Sequence, residues 1–382
     1  MSIYLDHAAT SFPKPAVVCR RMNQVMTRIA ANPGRSEHKS ARKANQIVQE
    51  TREEIAKLFS IPDARRVVFT CNATEAINLA LKGILSPGDH AVTSSVEHNA
   101  VLRPLKRLEK TGVRYSLVPC SRQGDLDYRR LQKSLKPKTK LIILTHASNV
   151  TGRIFPIEEV GAFARSKGIH FMVDAAQTAG LLPIDVQRMN IDLLACPGHK
   201  SLYGPQGTGF LYVADGIDLK PLKEGGTGID SESDEQPEVL PQRLESGTLN
   251  TPGIAGLGAG VSFVLDQKVE KICKKEMSLT QNLVRGLKEI KEVRIFGPQK
   301  TEERVPLVSF NLESMNPGEV GFLLDDLYDI LVRTGLHCAP HAHRTLGTLP
   351  SGTIRVSLGF FNTAEDIRAL LKAVHEISRL KR

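Results

Sequence analysis

Between residues 66 and 213 short apolar runs of strand length alternate with helical stretches, and this rhythm leaves the chain few architectures to adopt. The strand-like runs fall at 66–70, 91–93, 115–118, 141–145, 171–174, 193–196 and 210–213, with helical stretches such as 74–81 between most of them. Strands joined through helices run parallel, because the crossover brings the chain back to start its next strand in the same direction. The expected fold is therefore α/β, with a large, mostly parallel, doubly wound sheet. Sheets of this kind gather their ligand-binding groups at the carboxyl ends of the strands.

The rhythm breaks at 224–241. Glu224-Gly225-Gly226-Thr227-Gly228 and the acidic Asp230-Ser231-Glu232-Ser233-Asp234-Glu235 cannot bury a core face and read as a mobile linker. Beyond Pro252 a long helical region reaches about residue 292; strands follow at 293–296, 307–311, 330–333 and 354–358, then a terminal helix at 364–380. Helices on a small antiparallel sheet would make a second, smaller α+β domain. A chain of 382 residues exceeds what one core normally serves, in keeping with two domains. The division expected is 16–254 for the large domain, with 1–15 and 255–382 forming the small one. The first fifty residues hold a strand-like opening, a turn at 11–15, a polar loop at 31–38 and a helix from about 46 to 58.

Composition excludes several classes. With 41% hydrophobic and 24% charged residues the chain is neither disordered nor fibrous. Its opening residues lack a signal-peptide pattern and no stretch approaches a membrane span, so a cytoplasmic protein without a membrane partner is expected. The six cysteines show no short pair spacing, which argues against a disulfide framework or a zinc site and for reduced thiols. A net charge of +10 would suit an anionic partner, but Lys and Arg are dispersed and Trp is absent, so the charge reads as a solvated surface and not as a nucleic-acid site.

Chemistry concentrates between His170 and Lys200. The run Phe171-Met172-Val173-Asp174 ends in a carboxylate with Gln177 close behind, and Leu193-Leu194-Ala195-Cys196 leads through Pro197-Gly198 to His199-Lys200. Alone, the Asp would be a turn former and the Lys a surface residue. On two adjacent strands they would bring an acid and an amine to one crevice, as pyridoxal phosphate (PLP) requires. The amine forms a Schiff base with the aldehyde, and the acid holds the pyridine nitrogen protonated so that the ring draws electrons.

Several ordered motifs extend this. Tyr4-Leu5-Asp6-His7-Ala8-Ala9-Thr10, Ala73-Thr74-Glu75-Ala76-Ile77-Asn78, Glu97-His98-Asn99-Ala100, Ser148-Asn149-Val150-Thr151-Gly152, Val173-Asp174-Ala175-Ala176-Gln177, Gly198-His199-Lys200 and Glu245-Ser246-Gly247-Thr248 together resemble the class V aminotransferase-fold PLP enzymes. Arg333-Thr334-Gly335-Leu336-His337-Cys338-Ala339 narrows the resemblance to the cysteine desulfurase and selenocysteine lyase group, in its SUF-type branch. The resemblance spans nearly the whole chain and implies the PLP-dependent transferase fold of type I.

What it implies for residues is specific. Lys200 would carry the Schiff base and shuttle the substrate α-proton. Asp174 would face the pyridinium nitrogen, Gln177 the ring phenolate oxygen, Asn149 the ring edge and His98 the ring face. The phosphate would meet the backbone at Ala73 and Thr74, the Thr74 hydroxyl, His199, and Thr248 from a partner subunit, which implies a homodimer. Arg355 would clamp the substrate carboxylate, with Arg333 a second cation near the loop. Cys338 would take sulfur from L-cysteine, leaving a persulfide and L-alanine, for delivery to an acceptor protein.

Three positions depart from the family pattern. Pro197 and Ala73 replace hydroxyl residues near the phosphate, and Leu336 stands where SUF-type relatives often have His. No metal is expected: His341 and His343 lie near Cys338, but no fourth ligand is evident and a metal would cap the nucleophile. The rival readings are a selenocysteine lyase acting on L-selenocysteine, a C–S lyase or aminotransferase that does not use Cys338, and an idle basic sulfur carrier or RNA-binding accessory. Intact Lys200, Asp174 and Arg355 argue against the last.

Overall fold

The computed structural model describes residues 2–29, 31–34, 36–230 and 232–380. Arg35 of the polar loop and Ser231 of the acidic linker lie outside the described residues.

Seven strands make the large sheet, in the spatial order Val67–Thr70, Gly209–Val213, Leu193–Pro197, His170–Asp174, Thr139–Thr145, His90–Ser94, Arg114–Val118. Gly209–Val213 runs antiparallel to both of its neighbours and every other pairing is parallel. The inner strands are buried on both faces, which is why they read as continuous apolar runs. Their side chains alternate between two cores: Ile142, Leu144, Phe171 and Val173 enter one, while Leu141, Ile143 and Met172 enter the other. His170–Asp174 and Leu193–Pro197 are neighbours with Asp174 opposite Ala195, so the acid and the segment leading to Lys200 leave the sheet side by side.

The second sheet has four antiparallel strands in the order Arg333–Gly335, Thr353–Ser357, Leu307–Leu312, Val293–Phe296. Helices Val269–Glu289, Pro317–Tyr328 and Ala364–Ser378 bury Leu283, Leu324 and Leu370 with Phe310 and Val356 in its core. The last helix starts at a capping box in which Thr363 and Asp366 satisfy each other's backbone N–H groups.

Two elements differ from expectation. The single strand expected at 330–333 is two: Ile330–Leu331 pairs in parallel with Ile3–Tyr4, while Arg333–Gly335 joins the four-stranded sheet. The N-terminal segment takes hydrogen bonds that a continuous strand would have offered elsewhere, with Ile3 N–H on Asp329 O at 2.8 Å and Leu5 N–H on Leu331 O at 2.9 Å. The long helical region breaks at Lys268, whose φ of 68° cannot continue a helix, into Thr251–Gln267 and Val269–Glu289. The first of these lies against the loop that carries Lys200. A Cβ at Gly260 would sit 2.3 Å from the Leu202 carbonyl oxygen, so only glycine allows that approach. No helix among the described residues is long and apolar enough to cross a membrane.

Candidate active site

A cavity of about 210 Å3 opens where the carboxyl ends of the large sheet meet the small antiparallel sheet. Ala73, Thr74, His98, Asn149, Asp174, Gln177, His199, Lys200, Arg333, Cys338 and Arg355 all line it. Of the site residues expected from sequence, Thr248 alone lies elsewhere. It lines a neighbouring hollow with Cys71, Glu75, Lys223 and Glu245.

The floor comes from strand ends and helix starts. Asp174, 3% exposed, closes its strand and accepts the Ala176 N–H at 2.9 Å. Burial raises its pKa, and the nearby Lys200 opposes that shift. Lys200 is pushed down to about 8, first by burial, then by Arg355 and Arg333 against the pull of Asp174. About a tenth of it is therefore free amine at pH 7, far more than for an ordinary lysine. His98 caps helix Asn99–Glu109, its Nδ1 accepting the Ala100 N–H at 3.0 Å, which puts the ring proton on Nε2. Burial and the charge of Lys200 lower it to about 4, so the ring is neutral.

Behind the floor, Glu97 is completely buried and joins two strand ends, taking the Ser94 hydroxyl at 2.5 Å and the Thr145 N–H at 2.9 Å. Burial raises it to about 8. Gln177 Nε2 donates to Ala8 O at 3.2 Å, which leaves its second N–H for the cavity.

One end is built for an anion. Helix Ala73–Ile84 starts here; its cap Asn72 takes the Glu75 N–H on the side chain and the Ala76 N–H on the carbonyl. The N–H groups of Ala73 and Thr74 are the other first-turn donors at this positive helix end. His199 has a buried Nδ1 without a partner among the described residues, and its carbonyl accepts Lys14 Nζ at 2.7 Å.

The opposite rim belongs to the small sheet. Arg333 and Arg355 face each other directly across an antiparallel pair, an arrangement of like charges that costs stability unless an anion joins them. Arg355 is 1% exposed; Nη2 pairs with Asp6 Oδ1 at 2.7 Å, Nη1 donates to Asn149 O at 3.1 Å, and Nε has no partner among the described residues. Arg333 Nη2 lies 3.8 Å from Cys338 Sγ, and Cys338 is exposed. His337 and Cys338 both have left-handed backbones, with φ of 47° and 56°. Each such residue other than glycine costs about 1–2 kcal/mol, so other contacts must hold the turn. They do: Asn149 Nδ2 donates to His337 O at 2.6 Å and the Asn99 N–H to Cys338 O at 2.8 Å.

Residues 3–370 match the family "Aminotransferase class-V". A "Probable cysteine desulfurase" of Methanothermobacter thermautotrophicus is 35% identical, over 98% of this chain and 94% of that protein. A "Cysteine desulfurase" of Serratia proteamaculans is 32% identical, over 99% and 93%. The chain belongs to the class V aminotransferase family, among the cysteine desulfurases. Solved structures agree. The apo cysteine desulfurase from Thermococcus onnurineus superposes with a TM-score of 0.93 at 32% identity, covering 99% of this chain and 95% of that one. The cysteine desulfurase CsdA of Escherichia coli gives 0.89 at 32%, covering 98% and 94%.

Class V enzymes of this kind depend on PLP, and the residues present fit it. A lysine in free-amine range beside a buried carboxyl, an unpartnered imidazole nitrogen and a helix start at one end, and a neutral His98 between them are the donors that an aldehyde, a pyridine nitrogen and a phosphate call for. A cationic ring nitrogen against Asp174 would reverse the effect of burial and favour the carboxylate.

His341 and His343, near Cys338 in sequence, form no metal-ligand cluster with it among the described residues. His343 is buried with Nδ1 on Thr348 Oγ1 at 2.7 Å, and among the described residues no three His, Cys, Asp or Glu side chains converge to hold one. Asp6, Asn72, Glu97 and His337 make contacts at the site that the sequence alone does not reveal. Asp6, Glu97 and His337 stand inside motifs that were legible, and Asn72 carries the Asn-x-x-Glu pattern of a helix cap.

Proposed function

We propose that the chain is a PLP-dependent cysteine desulfurase that converts L-cysteine to L-alanine and carries the sulfur as a persulfide on Cys338. The observation that carries this reading is the shared cavity. An exposed thiol, with a guanidinium 3.8 Å from its sulfur, stands over the same pocket as Lys200 and Asp174. An aminotransferase needs no such thiol there.

The geometry supports a role for each residue. Bound PLP would supply an electron sink for carbanion chemistry at the substrate α-carbon. Lys200 would hold it, Asp174 would hold its ring nitrogen, Gln177, Asn149 and His98 would orient the ring, and Ala73, Thr74 and His199 would hold the phosphate. Lys200 Nζ, with its pKa near 8, can carry protons to and from substrate carbon at neutral pH. Arg355 presents a buried fork that Asp6 and Asn149 fix in place, suited to the substrate carboxylate. Cys338 takes the sulfur: the Cβ–S bond breaks, an S–S bond forms, carbon keeps the electron pair and gains a proton, and the two sulfurs are oxidised in balance.

Thr248 does not reach the cavity of its own chain, which supports a homodimer in which it serves the partner's site. We read residues 16–254 as the PLP-binding unit and 1–15 with 255–382 as the unit carrying the thiol, a division supported by the two sheets. A cytoplasmic setting, where thiols stay reduced, and a sulfur-acceptor protein complete the reading. The Arg333–Ala339 motif supports the SUF-type branch.

Steady-state alanine formation tests it, with L-cysteine and L-selenocysteine compared in wild type and Cys338→Ala. Cysteine turnover that depends on Cys338 is expected. Strong preference for selenocysteine, unchanged by Cys338→Ala, would make the chain a lyase of that substrate, pyruvate with sulfide and ammonia in place of alanine would make it a C–S lyase, and 3-mercaptopyruvate would make it an aminotransferase.

A further inference from the structure

We propose that His337 is a positioning residue for sulfur transfer: its buried imidazole, bonded to Thr353, fixes the left-handed turn that presents Cys338 and ties it to the strand carrying Arg355. This rests on reading Cys338 as the sulfur acceptor.

Besides the Arg333 guanidinium near its thiol, the turn has three hydrogen-bonded ties to the rest of the described residues. Two act on backbone carbonyls, through Asn149 and Asn99. The third is the His337 side chain, whose Nε2 lies 3.0 Å from Thr353 Oγ1, with both residues buried. Thr353 stands two residues before Arg355 on the same strand, so both side chains leave the same face of the sheet. The thiol and the carboxylate clamp are thereby referenced to one rigid element. A substrate held at its carboxylate would meet Cys338 Sγ at a set distance.

His337 also lines the cavity, but not as a proton carrier. Burial and the charges of Arg355 and Arg333 push it down to about 2, so it cannot serve as a proton carrier near neutral pH. Its Nδ1 has no partner among the described residues. The ring of His343 packs beside it at 5.5 Å between centroids and is itself anchored on Thr348, so two buried rings back the turn. Without the imidazole, two consecutive left-handed residues would lose their side-chain anchor and relax toward commoner backbone conformations.

The experiment compares wild-type holoenzyme with His337→Ala, His337→Gln and Thr353→Val. It reads bound PLP by absorbance, kcat and KM for L-cysteine, and the rate of Cys338 alkylation by iodoacetamide. A misplaced reacting atom costs about 10- to 100-fold in rate, so kcat of His337→Ala should fall by about that factor with PLP retained and KM within about twofold. His337→Gln, whose amide can reach Thr353, should recover most of the loss, and Thr353→Val should resemble His337→Ala. The alkylation rate should change in the same two variants.

A kcat for His337→Ala within about twofold of wild type would overturn the proposal, as would equal losses in the Ala and Gln variants. If His337→Ala fails to hold PLP, Thr353→Val decides, and normal turnover there would overturn it. Failure of the functional reading looks different. Wild-type Cys338 would then take no sulfur, while alkylation would still report whether His337 fixes the turn.

Discussion

The two walls of the cavity are held in opposite ways. On the floor most key side chains are fixed by their own neighbourhood: Asp174 by the Ala176 N–H, His98 by the Ala100 N–H, Asn72 by the Glu75 N–H, with Gln177 on Ala8 O the exception. On the rim, apart from the Arg333–Cys338 contact and the turn's own backbone bond, the ties are long-range. Arg355 pairs with Asp6 across 349 residues, Asn149 reaches His337 across 188, and Cys338 hangs on Asn99. The floor also has ordinary backbone geometry, whereas the rim opposes two arginines and turns twice through the left-handed region. A floor of this kind suits a cofactor that stays in place. A rim built from distant contacts suits groups that must be registered against a changing substrate, and it should break differently.

The floor should fail completely. Lys200→Ala removes both the anchoring amine and the proton carrier, so alanine formation should fall by about 10²–10⁴-fold or more, as assayed by amino-acid analysis. The characteristic PLP absorbance of the Lys-bound form should vanish with it. Arg355→Gln breaks the rim alone. Truncating one partner of a buried charge pair costs about 2–5 kcal/mol, so KM for L-cysteine should rise steeply while PLP absorbance stays intact. Loss of PLP in that variant would mean that the two walls are not separable.

A pH series sharpens the floor. Lys200 is nucleophilic only as the free amine, and its pKa is lowered from 10.5 to about 8. The rate of PLP uptake by the apo chain should rise about tenfold between about pH 7 and 9 and then level off. A rate still climbing above pH 10 would mean an unshifted lysine.

The smallest effect probes the seam between the walls. Tyr203, three residues after Lys200, donates to buried Glu276 at 3.3 Å and accepts the Phe360 N–H at 3.2 Å. Burial raises Glu276 from 4.5 to about 8. The native carboxyl thus keeps its proton where the unfolded one is ionised. Its contribution is full below the unfolded value and is lost as pH rises through about 8, at about 1.4 kcal/mol per pH unit in between. The thermal midpoint of wild type should therefore fall relative to Glu276→Gln between about pH 6 and pH 8. Parallel curves would show that Glu276 does not titrate with folding.

This contrast also explains what could be read from the sequence. The parallel sheet was legible because buried strands are continuous apolar runs, and Asp174, His98 and Lys200 because their settings are local. The pairing of Ile3–Tyr4 with Ile330–Leu331, which splits one expected strand into two, depends on segments more than three hundred residues apart. The same distance hid the partnership of Asp6 with Arg355. His337 was visible inside its motif, yet its tie to Thr353 exists only once two strands have paired. Glu276 gave no sign at all, since a charged residue in a helix reads as solvent-exposed until Tyr203 is placed against it.

Floor and rim meet at one sulfur atom, that of Cys338. Intact-protein mass measurement after incubating the holoenzyme with L-cysteine, beside Cys338→Ala and with alanine quantified, tests it most directly. One added sulfur on wild-type protein, alanine formed in step, and no addition to Cys338→Ala are expected. Bound PLP with no added sulfur, or the same addition in both proteins, would contradict it.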